Sequence, residues 1–115
     1  MTPRALKALR GSIRKWEGIL LGTVGNRGAI NCPLCKLFRL DDDDVVSCRG
    51  CPVSAKTGRA GCQGTPYTAW EKLEDKSDDG YDIETREGLD GRFAVSPAAR
   101  KIALRELRFL ESLLP

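Results

Sequence analysis

Cys32-Pro33-Leu34-Cys35 and Cys48-Arg49-Gly50-Cys51 are two Cys-x-x-Cys pairs in a chain with one further cysteine, Cys62, and no histidine. The pairs stand twelve residues apart. Two such turns can bring four thiolates to one ion, which is the usual signature of a tetrahedral four-cysteine zinc site. Pro33 fixes φ just after the first sulfur, and Gly50 permits a tight turn between the second two. Within a pair the cysteines are too close to gain much by closing a loop on each other, and five cysteines leave one over from any disulfide framework. The spacing therefore favours metal over disulfides or free thiols. Thiolate ligation also suits iron or an iron–sulfur cluster, but the spacings do not match those of ferredoxins, and zinc is the expected ion.

Outward from the pairs, the chain reads as three helices with one start signal. Thr2-Pro3, Thr65-Pro66 and Ser96-Pro97 each place a capping hydroxyl before a proline suited to the first helical position. After the first, Leu6, Leu9, Ile13, Trp16 and Leu20 form one apolar stripe, with Arg4, Lys7, Arg10, Arg14 and Lys15 expected largely off it. After the third, Ile102, Ala103, Leu107, Leu110, Leu113 and Leu114 form a broad apolar face. The expected architecture is a small, mainly α protein of one domain, residues 1–115. Its N-terminal helix (2–21) and C-terminal helix (96–114) pack as a hairpin. A zinc-knuckle or ribbon-like metal lobe (31–64), a short middle helix (65–76) and an acidic loop (77–95) lie between them.

Charge is unevenly spread. Residues 1–30 carry six Lys or Arg against Glu17 alone, whereas residues 71–90 carry nine Asp or Glu against three Lys or Arg. The net charge is +3, so mutual neutralisation within the fold is the simpler reading. Asp41-Asp42-Asp43-Asp44 reads as a solvated turn, since consecutive carboxylates in a loop do not all point inward. No stretch is apolar enough to span a membrane, and Met1–Lys7 lacks the apolar region of a signal peptide, so a reducing cytoplasm is expected.

The chemistry argues against an enzyme. Histidine, the commonest general base, is absent. Four cysteines fill a zinc shell that a catalytic site would keep partly open. Cys62 carries three readings: a fifth or alternative ligand, a small buried thiol, or a thiol activated before the helix that starts at Thr65-Pro66. Tyr67 and Trp70 read either as core aromatics or as an aromatic contact surface for a partner.

The order Trp16-Glu17, Asn31-Cys32-Pro33-Leu34-Cys35 with Leu37-Phe38, Cys48-Arg49-Gly50-Cys51-Pro52-Val53 and Gly61-Cys62-Gln63-Gly64-Thr65-Pro66-Tyr67 with Trp70 resembles small cysteine-rich proteins of bacteriophages and prophages. The resemblance covers nearly the whole chain, and its specific part runs from Cys32 to Trp70. It implies a phage accessory protein acting in the host cytoplasm, for example as an inhibitor that binds a host protein. It supplies no catalytic residues. Binding of nucleic acid through Arg10, Arg14, Arg105 and Arg108 on the terminal helices is the alternative from a different class.

Overall fold

A computed structural model of the chain describes residues 1–26, 28–42, 45–59, 61–76 and 96–115. The three expected helices are present: α1 over Pro3–Leu21, α4 over Pro66–Lys76 and α5 over Pro97–Glu111. Their starts follow the capping logic. Thr2 Oγ1 accepts from the Ala5 N–H at 3.1 Å, and Ser96 Oγ accepts from the Ala99 N–H at 3.2 Å. Thr65 Oγ1 accepts from the Tyr67 N–H at 3.2 Å. Gly22 ends α1 in the left-handed region at φ 78°, where its N–H bonds back to the last turn.

Between Asn31 and Gly64 the chain is more regular than a plain knuckle lobe. A single 3-10 turn, Gly28–Asn31, leads into a six-residue helix α2, Pro33–Phe38. Strands β1 (Leu40–Asp42) and β2 (Val45–Ser47) pair antiparallel, with Asp41 opposite Val46. A second six-residue helix, α3, spans Pro52–Thr57, within the segment read only as a metal lobe. The cause is the same signal as elsewhere. Cys32-Pro33 and Cys51-Pro52 put proline at the first helical position, so each of the five α-helices among the described residues begins on a proline. Asp41 and Asp42, expected in a solvated turn, end strand β1 instead, and Asp43 and Asp44 of the same run lie outside the described residues. The acidic loop at 77–95 also lies outside them.

The core is one contiguous cluster. α1 supplies Leu9, Ile13, Trp16 and Ile19, α4 supplies Trp70, and α5 supplies Ala99, Ala103 and Leu110. Leu34, Cys48, Cys51 and Val53 join it from the cysteine segment. α5 packs against both α1 and α4. The Arg100 guanidinium, near the start of α5, donates to the Leu20 carbonyl, near the end of α1, at 3.3 Å. The terminal helices thus run in opposite senses, as the hairpin expectation requires. The rings of Trp16 and Trp70 meet edge to face, with centroids 5.2 Å apart and planes at 87°, and Tyr67 meets Trp16 at 5.9 Å and 81°. Such aromatic pairs add to the large area they bury.

Trp70 is fully buried, so it has no surface to offer a partner. Its place is the joint between α1, α4 and the cysteine segment. Trp70→Ala should cost about 3–5 kcal/mol of unfolding free energy, the usual range for a large buried aromatic. Chemical denaturation followed by far-ultraviolet circular dichroism checks this; a loss under 1 kcal/mol would contradict it.

Candidate metal centre

All five cysteines line one cavity of about 230 Å3. They reach it from different elements. Cys32 and Cys35 lie at the start and in the first turn of α2. Cys48 and Cys51 flank the turn between β2 and α3. Cys62 sits in the turn before α4. All five are free thiols. Cys48 and Cys51 are buried and the other three are half-buried.

Each pair is closed by backbone hydrogen bonds. The Cys35 N–H donates to Cys32 Sγ at 3.4 Å, and the Lys36 N–H donates to the Cys32 carbonyl. In the second pair, the Cys51 N–H donates to the Cys48 carbonyl at 3.0 Å, closing a turn around Gly50. Gly50 adopts φ 84°, a left-handed conformation that side chains disfavour, and an added Cβ would meet the Phe38 ring at 3.3 Å. Gly50→Ala should therefore cost about 1–2 kcal/mol or more from backbone strain alone; a thermal shift assay that finds no loss would contradict this.

Besides Arg39 and Glu71, three polar side chains that the sequence reading did not single out also line the cavity: Ser12, Lys15 and Glu106. Ser12 Oγ accepts from the Leu34 N–H at 3.4 Å and lies 4.0 Å from Cys32 Sγ. Lys15, expected with the solvent-facing cations of α1, is buried instead. Its ammonium donates to the Gly28 carbonyl at 3.4 Å and lies 5.6 Å from the centre of the Trp16 ring. Glu106 is 3% exposed, and its Oε2 meets no hydrogen-bond partner among the described residues.

A helical signal for these three was present. Ala8, Ser12, Lys15 and Ile19 recur at steps of four, three and four, as do Ala99, Ala103, Glu106 and Leu110. Both rows are core-facing, so the polar residues within them are carried inward.

Electrostatics tie these groups together. Hydrogen bonding from the Cys35 side chain draws Cys32 down to about 6 against the opposing effect of burial, with help from the Cys35 N–H, Lys15 and Ser12. The same hydrogen bond, then burial, pushes Cys35 above the usual thiol range. Burial raises Cys51, and raises Cys62 to about 12 with Glu106 as its next cause. Burial lowers Lys15 and lifts Glu106 to about 7. The cavity thus holds one thiol poised to ionise beside a cation, which is the starting condition for thiolate ligation. Among the described residues no three cysteine or carboxylate side chains already stand at the separations of a closed single-ion site. The donors ring the cavity rather than meeting at a point.

Of the remaining sequence candidates, Tyr67 is half-buried at the cavity wall, and its hydroxyl accepts from the Asn26 amide at 3.2 Å. Arg10, Arg14, Arg105 and Arg108 are exposed. A separate groove between α1 and α2 is rimmed by Arg4, Lys7, Arg14 and Lys36 over a floor of Ala8, Gly11, Pro33 and Leu37. It takes in Arg14 but none of Arg10, Arg105 and Arg108. Gly11 lets the helices come close there, since a Cβ at that position would meet Pro33 Cγ at 3.0 Å. Among the described residues no helix is long and apolar enough to cross a membrane. In comparisons with known proteins, no family model, no curated protein and no solved structure matches the chain.

The Glu106 shift gives the folded protein a pH signature. Its carboxyl titrates near 4.5 when unfolded and near 7 when folded, so the folded state binds the proton more tightly. Stability from this group is fully present below about 4.5 and is lost as pH rises through about 7. Cys32 works in the opposite direction only from about 6 upward. Between pH 4.5 and 6 the stability of the purified protein should therefore fall, and Glu106→Gln should flatten that fall. Urea denaturation at the two pH values reads it; an identical slope in the variant would contradict the burial of this carboxylate.

Proposed function

We propose that this chain is a zinc-stabilised, non-enzymatic accessory protein of the phage type that acts in the host cytoplasm by binding a host protein. One observation carries the metal half of this reading: five cysteines, distant in sequence, line one cavity beside a buried lysine. Cys32, Cys35, Cys48 and Cys51 would hold the ion, and zinc there would contribute a large share of the folding free energy. The donor set suits a structural ion. Thiolates occupy the shell, and no histidine is available for proton transfer.

The binding half rests on the groove between α1 and α2. Four cations rim it, and no carboxylate is among its lining residues. Its apolar floor offers surface on which a partner's side chains can be buried, so an acidic protein segment that also carries apolar residues is the complementary partner. The acidic stretch 71–90, which the sequence alone offers as a counterpart for a basic partner, falls mostly outside the described residues.

The same cationic rim favours the second reading, nucleic-acid binding, in which phosphates would follow the arginines and lysines. A phosphate backbone would use the rim and leave the floor idle, which places this reading second.

Two measurements test the proposal. Cys35→Ser should give a largely unfolded or aggregating protein; a variant that keeps native circular dichroism would contradict the structural role of the metal. Tagged protein should retain the same host protein from lysate with and without nuclease, and Lys7→Glu with Arg14→Glu should abolish the capture. A nanomolar, sequence-dependent gel shift at physiological salt would instead establish the nucleic-acid reading.

A further inference from the structure

We propose that Cys32 and Cys35 form a reversible disulfide by exchange with small disulfides of the glutathione type. The bond itself does not depend on the zinc reading; only its consequence for a bound ion rests on that reading.

The two thiols are already tied together. Cys32 is extended, at φ −104° and ψ 108°, and its sulfur turns back over the first turn of α2 to accept the Cys35 N–H at 3.4 Å. The Cys35 side chain hydrogen-bonds Cys32 as well. The Lys36 N–H holds the Cys32 carbonyl at 2.9 Å, and Pro33 fixes φ between the two cysteines. The backbone thus keeps the pair close while the sulfurs rotate. Access singles out the same pair. Cys32 and Cys35 are half-buried, whereas Cys48 and Cys51 are buried. Cys62 is also half-buried, but it reaches the cavity from the turn before α4.

The Cys32 sulfur is the attacking one. It receives the Cys35 N–H, lies 4.0 Å from Ser12 Oγ and feels the Lys15 charge, and donors and a cation of this kind activate a thiol. It attacks one sulfur of the small disulfide, and one small thiol leaves. The Cys35 sulfur then attacks the Cys32 sulfur of this mixed disulfide, and the second small thiol leaves. Cys32 and Cys35 give up two electrons, which the small disulfide gains, and their two protons end on the two released thiols. The bond is easily reversed. It spans only two intervening residues, and the stabilisation a disulfide gives grows with the loop it closes. Oxidation also takes two of the four sulfurs proposed for zinc out of use, so an ion held there is released.

The full chain, incubated with glutathione disulfide, quenched in acid, alkylated and digested with trypsin, reads the bond by mass. Cleavage after Arg27 and Lys36 leaves Cys32 and Cys35 on one peptide, whereas cleavage after Arg49 separates Cys48 from Cys51. Both alkylation sites on the first peptide should be lost together and restored by dithiothreitol. Cys62→Ser, which keeps both pairs, should form the bond to the same extent. No bond, a product that stops at the mixed disulfide, a first bond between Cys48 and Cys51, or loss of the bond in Cys62→Ser would overturn the inference. Zinc counted in the same samples separates the two readings. Zinc released as the bond forms supports both. Zinc retained after the bond has formed, or absent throughout, would overturn the zinc reading and leave this inference standing.

Discussion

Nearly all the polar surface that the helices bury, they bury around the five thiols. Four polar or charged residues are buried in the described structure, and Ser12, Lys15 and Glu106 of these line the cysteine cavity. Burying a lysine and a carboxylate is unfavourable unless each finds compensation. Lys15 finds a carbonyl, an aromatic face and a neighbouring thiol that it helps to ionise. The packing of α1 against α5 is thus inseparable from the contents of the cavity. Both helices present a core-facing row to the same place, and both rows are interrupted there by a polar side chain.

This coupling explains how a chain of 115 residues uses so short a cysteine segment. Small domains bury a modest fraction of their surface and commonly add a metal or a covalent cross-link to the apolar core. Here the apolar core and the thiol cavity share walls. Trp16 lines the cavity and stacks edge-on against Trp70, and Leu34 and Leu110 line the cavity while belonging to the core. A change in the cavity is therefore felt by the terminal helices, even though none of the cysteines lies on them.

The main helices were legible because their signals are local. Thr2-Pro3, Thr65-Pro66 and Ser96-Pro97 mark starts within a residue of the observed ones, and the stripe of Leu9, Ile13 and Trp16 faces the core as its period requires. The same signal at Cys32-Pro33 and Cys51-Pro52 was masked by the chemistry of the cysteines, so α2 and α3 went unread. The inward course of Lys15 and Glu106 was harder to see. Long charged side chains ordinarily sit outside, and only the four-three-four spacing of their apolar neighbours marked them as exceptions. Tyr67 and Trp70 show what periodicity alone leaves open. Both lie on α4, yet one lines the cavity and the other is wholly enclosed.

The central claim is that a metal ion in the cysteine cavity holds the helices together. Near-ultraviolet circular dichroism of the purified protein, recorded as a strong chelator removes the ion, tests it most directly. Trp16 and Trp70 are packed against one another beside the cavity and report on its integrity. The account requires the aromatic signal to collapse in step with the release of zinc and to return when zinc is restored. An aromatic signal that survives complete removal of metal would contradict it.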